Sequence, residues 1–209
     1  MKAMGERDMA FFLRIPMAMH EILWHGRGGQ GVVLAAQILA EAAYIEGFRG
    51  VTSAPTFGPE RRGAPLTAST RISEEPVRTF SQVAPADIAL ILDISLLAAA
   101  TGGEMLRERG TVIVNTPLPP ERIGLNGDLC VATVDAAGIA REHHLSMGGV
   151  PVVNTTLLGA FARVTGLVSL ESIEEGLKRK MPRSKAAFNF QAVRTTFERT
   201  LIGKTDAKD

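Results

Sequence analysis

The chain has 209 residues, 45% of them hydrophobic, enough for one sizeable core in a single domain. A net charge of +1 supplies no global field for nucleic acid or an anionic membrane, and 5% aromatic content argues against a base-stacking platform. One cysteine, Cys130, excludes an internal disulfide framework and a cysteine-ligated iron–sulfur cluster held by this chain alone, which fits a reducing, cytoplasmic setting.

Residues 1–19 read as a flexible extension. Phe11-Phe12-Leu13 is apolar, but Arg14 and Pro16 interrupt it, so neither a secretory signal nor a membrane span is indicated. Met17 or Met19 could be the true start. Glu21 to Trp24 is a short first strand, followed by the turn Gly26-Arg27-Gly28-Gly29-Gln30-Gly31 and a helix from Val32 to Glu46. Gly47 ends that helix in the left-handed conformation. Arg49 to Ala54 is a second strand. Glycines and prolines then break up Pro55 to Pro65, which carries Glu60-Arg61-Arg62.

Leu66 to Ile72 alternates as a strand, with Leu66, Ala68, Thr70 and Ile72 on one face. Val77 to Phe80 is expected to pair back antiparallel, making the sheet mixed. Ala89 to Leu92 and Thr111 to Val114 read as buried central strands, separated by helical pieces over 94–100 and 103–109. Leu129 to Thr133 is expected as the last strand, and Asp135 to cap a helix running to His143. Ser146 to Pro151 is a glycine-rich link. Three helices follow: one on Val153, Leu157, Leu158, Phe161 and Val164, one capped by Ser169, and an amphipathic one from Ala186 to Leu201. The pattern predicts one three-layer α/β domain over 20–203 with a mostly parallel, mixed central sheet and C-terminal helices. A frayed tail over 204–209 completes it.

Gly26, Gly28 and Gly31 have the Gly-x-Gly-x-x-Gly spacing of a dinucleotide-binding turn. Yet the second strand ends Ser53-Ala54-Pro55, without the acid that holds a ribose. The glycines serve equally well for a tight turn and close helix–sheet packing. Arg61 and Arg62 could clamp a phosphate or carboxylate, or form part of a solvated loop. Asp93 and Asn115 stand at strand C-termini, where open α/β sheets place their sites, but either can simply cap the next element. His25 could contact an anion or satisfy loop backbone, and the pair His143-His144 reads as a helix-dipole partner rather than a metal site. No residue is nominated as catalytic.

Several segments together resemble the gamma subunit of 2-oxoacid:ferredoxin oxidoreductases. They are H-G-R-G-G-Q-G-V-V (His25 to Val33), F-G-P-E-R-R-G-A-P (Phe57 to Pro65), R-I-S-E-E-P-V-R (Arg71 to Arg78), P-A-D-I-A-L-I-L-D (Pro85 to Asp93) and N-T-T-L-L-G-A-F-A-R-V-T-G-L-V (Asn154 to Val168). The resemblance implies a complex that converts a 2-oxoacid and coenzyme A to acyl-CoA and carbon dioxide, passing two electrons to ferredoxin. It implies thiamine diphosphate and Mg²⁺ on alpha and beta subunits, iron–sulfur clusters on a ferredoxin-like subunit, and none of these on gamma, whose fold would be a three-layer α/β/α Rossmann-like domain. Glu60 to Pro65 looks like the pyruvate and branched-chain oxoacid type. Gly26, Arg27, Gly28, Gly29, Gln30, Gly31, Glu60, Arg61 and Arg62 are then candidate contacts for partner subunits or coenzyme A phosphates. The competing expectation is a self-standing NAD(P)-dependent oxidoreductase.

Overall fold

The computed structural model describes residues 19–55, 62–78, 83–102 and 104–204. The proposed extension, Glu60, Arg61, Thr79, Phe80 and the last five residues of the tail lie outside them, except that Met19 already belongs to the first strand. The strands are β1 (Met19–Arg27), β2 (Gly50–Pro55), β3 (Pro65–Ser73), β4 (Ala86–Ile91), β5 (Leu106–Asn115), β6 (Cys130–Val134), β7 (Ser146–Met147), β8 (Val150–Pro151) and β9 (Leu201–Lys204). The helices are α1 (Val32–Glu46), α2 (Leu97–Thr101), α3 (Ala136–Glu142), α4 (Val153–Thr165), α5 (Leu170–Lys180) and α6 (Arg183–Arg199).

Seven strands form one sheet in the order β2-β3-β1-β4-β5-β6-β9, and β7 and β8 form a separate small hairpin. The centre, β1-β4-β5-β6, is parallel; β3 and β9 run against it, and β2 runs with it. This is the expected mixed, largely parallel sheet.

Alternation along each strand sends two sets of side chains to opposite faces. Ile22, Trp24, Ile88, Leu90, Ile113 and Ala132 meet the helices in the main core. Helices α1 and α4 lie on this face, and α5 and α6 pack behind them. The Trp24 indole N–H donates to Thr70 Oγ1 at 3.1 Å, and Thr70 donates to the Ala36 carbonyl at 3.3 Å. One polar chain thus ties β1, β3 and α1 together inside an apolar core. The other face carries a thinner layer: Ala89, Ile91, Val112 and Val114 pack against Leu97 and Ala100 of α2 and against Leu125 and Leu129.

The capping expectations hold. Gly47 is left-handed at φ 112°, Asp135 accepts from the Gly138 N–H at 2.7 Å, and Ser169 caps α5.

Four readings need correction. The stretch 103–109 is not helical over its second half, because β5 already begins at Leu106. Leu106 pairs with Ala86, and Arg107 reaches Glu21 and Asp87, so tertiary pairing overrides helix propensity. Val77 and Arg78 join no ladder. The turn before them instead covers the start of β2, where a Cβ on Gly50 would lie 1.9 Å from the Glu75 carbonyl oxygen. The link 146–151 is a hairpin, turning on Gly148 and Gly149, both at positive φ. Finally, β6 is not the last strand. The final helix stops at Arg199, and Leu201 to Lys204 pair antiparallel with β6, Gly203 fitting closely beneath Pro120.

Candidate functional site at the carboxyl edge of the sheet

The chain leaves β1 toward one side of the sheet and β4 toward the other, so their C-terminal ends frame the crevice where open α/β sheets bind ligands. The glycine turn sits at this point. Gln30 closes it: its Oε1 accepts the Arg27 N–H at 2.7 Å, and its own N–H donates to the Arg27 carbonyl at 2.9 Å. A Cβ on Gly26 would lie 2.5 Å from Val32 Cγ2, so this glycine is required for close packing of turn and helix. Gly31 is left-handed at φ 72°, and a Cβ there would lie 2.4 Å from Asn154 Nδ2. Asn154, at the start of α4, donates to the Gly31 carbonyl at 2.9 Å.

The turn is docked directly on the second motif. The Gly28 N–H donates to the Ala64 carbonyl at 2.8 Å, and the Gly63 N–H donates to the Gly28 carbonyl at 3.0 Å. The stem of Arg62 lies against Gly29, its Cγ 3.8 Å from where a Cβ would stand. The structure therefore joins Gly26, Arg27, Gly28, Gly29, Gln30, Gly31 and Arg62 in one corner. Glu60 and Arg61 lie outside the described residues.

Arg27 fills the crevice. Its Nε donates to Asp93 Oδ2 at 2.7 Å, Nη1 to the Gly63 carbonyl at 3.0 Å and Nη2 to Ser95 Oγ at 2.7 Å. Ser95 in turn donates to Asp93 Oδ1 from both its hydroxyl, at 2.6 Å, and its N–H, at 3.0 Å. These hydrogen bonds from Ser95, with those from Arg27, hold the Asp93 carboxyl below the usual carboxylate range. Arg27 is thus a strut between the turn, the end of β4 and the second loop.

Asn115 is also structural. It donates to the Leu92 carbonyl at 2.9 Å and accepts the Ala137 N–H at 3.1 Å. Burial holds His25 down to about 4, so it is neutral at pH 7, and its Nε2 has no hydrogen-bond partner among the described residues. His143 meets Thr195 at 2.8 Å. Among the described residues no group of three or more His, Cys, Asp or Glu could hold a metal ion, and no helix is long and apolar enough to cross a membrane.

Ser95 and Asn154 are parts of this corner that local sequence pattern does not mark strongly. Ser95 carries a weak signal, Asp-x-Ser at a strand end. Asn154 acts on a residue 123 positions away and has no local signal at all.

A nicotinamide dinucleotide does not fit this corner. In the dinucleotide-binding fold the second strand lies beside the first, so an acid at its end meets the ribose. Here β3 is inserted between β1 and β2. The end of β2 is two strand spacings, about 10 Å, from β1, and bears no acid in any case. The crevice itself is occupied by Arg27, Asp93 and Ser95.

Residues 21–199 match the pyruvate ferredoxin/flavodoxin oxidoreductase family. The chain is 44% identical over 187 residues to the pyruvate/ketoisovalerate oxidoreductases common subunit gamma of Thermococcus litoralis, covering 88% of this chain and 98% of that one. It is 44% identical over 160 residues to pyruvate synthase subunit PorC of Methanosarcina barkeri, covering 77% and 85%. The crystal structure of pyruvate oxidoreductase subunit PORC from Thermotoga maritima superposes with a TM-score of 0.72 at 36% identity, covering 90% of this chain and 99% of that one. The chain therefore belongs to the pyruvate ferredoxin/flavodoxin oxidoreductase family, as a gamma subunit of the pyruvate/ketoisovalerate type.

Proposed function

We propose that the chain is a non-catalytic subunit of a cytoplasmic pyruvate-type complex, and that its glycine corner assists coenzyme A docking. The complex would take a 2-oxoacid and coenzyme A to acyl-CoA and carbon dioxide, with two electrons passing to two oxidised ferredoxins. Thiamine diphosphate and Mg²⁺ would belong to alpha and beta subunits, and the iron–sulfur clusters to a ferredoxin-like subunit. The docking of the glycine turn on the second loop, with Arg27, Asp93 and Ser95 bonded to one another at the β1/β4 crevice, supports this reading. The single buried Cys130 supports it, since a cysteine-ligated cluster needs more thiolates.

Two features support the docking role. Helix α1 has no side-chain cap and no acid in its first turn, so its leading N–H groups are available to an anion. The exposed Arg62 lies against Gly29 of the same turn and makes no ion pair among the described residues.

The test has two arms. The purified chain should neither bind thiamine diphosphate nor oxidise pyruvate, and adding its partner subunits should restore turnover; turnover by the chain alone would overturn the reading. Charge reversal at Arg61 and Arg62 should raise the coenzyme A KM of the assembled enzyme about tenfold, the loss of roughly one charge-assisted contact. Loss of assembly with an unchanged KM in the surviving complex would assign the arginines to a subunit interface instead.

A further inference from the structure

The chain contains four asparagines, Asn115, Asn126, Asn154 and Asn189. Three of them are held by their surroundings. The Asn115 amide donates to the Leu92 carbonyl at 2.9 Å and accepts the Ala137 N–H at 3.1 Å. Asn154 of α4 donates to the Gly31 carbonyl at 2.9 Å. Asn189 of α6 accepts from Thr155 at 2.6 Å and donates to the Lys185 carbonyl at 2.8 Å. Each of the three sits in or at the end of a regular element, and each is followed by a residue with a side chain: Thr116, Thr155 or Phe190.

Asn126 differs on each count. It is exposed, in the irregular stretch between the short 3₁₀ turn Pro120–Arg122 and β6, and no comparable bond holds its amide among the described residues. Its successor is Gly127, also exposed, at φ 103°. A Cβ there would meet nothing within 4 Å, so the backbone angle and not close packing calls for glycine. The shape of the loop therefore sets beside Asn126 the one residue type with no side chain to shield its backbone nitrogen.

We propose that Asn126 is a site of spontaneous covalent modification, where the folded chain converts its own asparagine to aspartate and isoaspartate. The Gly127 nitrogen attacks the side-chain carbonyl carbon of Asn126. A bond forms between that nitrogen and that carbon, the bond from the carbon to the amide nitrogen breaks, and ammonia leaves carrying the Gly127 proton. Water then opens the cyclic imide at either carbonyl. One opening gives aspartate; the other gives isoaspartate, in which the main chain runs through the former side chain. Only water is consumed, and no electrons change hands. Both products add a carboxylate that is ionised at neutral pH, beside Asp128, which pairs with Arg109 at 3.1 Å. Isoaspartate also lengthens the main chain by a methylene between Leu125 and Leu129. Those two leucines pack against the thin layer over Ala89, Ile91, Val112 and Val114, so the longer loop displaces part of its cover.

The test is peptide mapping by mass spectrometry on the folded full-length chain, aged in mildly alkaline buffer beside a urea-denatured sample. Trypsin releases residues 123–141, which contain Asn126 and no other asparagine. In the folded chain the acid forms should accumulate at Asn126 at least about tenfold faster than at Asn115, Asn154 or Asn189, because only there do an open loop and a following glycine coincide. Asn126→Gln, whose longer side chain would have to close a larger ring, should stay unmodified at that position. Aged wild type should melt about 2–4 °C below fresh protein, whereas Asn126→Gln should melt alike fresh and aged. Conversion at Asn126 slower in the folded than in the urea-denatured chain by about tenfold or more would show that the loop protects the amide, and would overturn the inference. Comparable conversion at Asn154 or Asn189 would overturn it too. Full conversion with no change in melting would remove the effect on the thin layer.

Discussion

The two faces of the sheet are held by different physics. On the helical face the fit is one of shape. Gly159 of α4 lets α6 approach so closely that a Cβ there would lie 1.9 Å from the Val193 carbonyl oxygen, and Gly176 of α5 does the same more gently against Ile38 of α1. On the thin face, toward the start of β1, the fit is one of charge. Arg71 donates to Glu21 at 2.9 Å, Arg107 bridges Glu21 and Asp87 at 2.9 and 3.0 Å, and Asp87 also accepts the Glu21 N–H at 2.7 Å. These two cations and two anions form one linked, mostly buried set. Shape holds a face only if every side chain keeps its volume, whereas paired charges hold one only if no member is removed alone.

That contrast predicts where the chain breaks first. Arg71→Ala leaves the buried Glu21 carboxylate short of a partner, and should destabilise the fold by about 3–5 kcal/mol in urea titration. Replacing Glu21 and Arg71 together by Leu and Met should recover much of that loss, because the buried carboxylate is removed with its partner while Arg107 still pairs with Asp87. Failure of the double variant to recover would mean that the thin face also depends on shape. On the other side, Gly159→Ala should cost about 3 kcal/mol or more by forcing α4 and α6 apart. A cost under about 1 kcal/mol would show that this face is less rigidly packed than its glycine implies.

The same contrast explains what the sequence reveals. The helical face is legible because periodicity records it: Leu157, Leu158, Phe161 and Val164 repeat as a buried stripe, and Gly47, Asp135 and Ser169 stand where local rules put caps. The charged face is not, because Glu21, Arg71, Asp87 and Arg107 each look like solvent-facing residues until the register of β1, β3, β4 and β5 unites them. The misreading of 103–109 has the same origin, since Glu104 to Glu108 are good helix formers and Arg107 is drawn into a strand by partners 86 and 20 residues away. At the site, the two glycine motifs are visible in the sequence. The strut role of Arg27 is not, because it depends on Asp93 and Ser95 from another strand end.

Two histidines add a pH dependence to the thin face and its surroundings. Burial lowers His25 to about 4 and also lowers His20. The unfolded chain therefore binds more protons than the native one below about pH 6.5, and stability falls as pH drops from there to about 4. For His25 alone the loss approaches about 3 kcal/mol. Asp87, raised by burial, works in the opposite direction as it ionises. The difference between wild type and His25→Gln isolates the imidazole: the variant should show a flatter stability profile between pH 6.5 and 4, and parallel profiles would refute the assignment.

The glycine turn combines both kinds of contact, with Arg27 paired to Asp93 beyond the end of β4 and Gly31 pressed against Asn154 of the helical face. The smallest expected effect tests which regime governs it. Asn154→Ala removes one donor, but the Gly31 carbonyl still accepts from the Ala35 N–H at 3.1 Å, so no acceptor is stranded and the cost should be about 0.5–1 kcal/mol. Gly31→Ala should cost more, because it adds a left-handed penalty of about 1–2 kcal/mol to the collision with Asn154. In the double variant the collision vanishes and only the backbone penalty and the lost hydrogen bond remain, so the two changes together should cost less than their sum by about 1 kcal/mol. Strict additivity would mean that Asn154 swings away freely, and that the turn is fixed by the Arg27 strut alone.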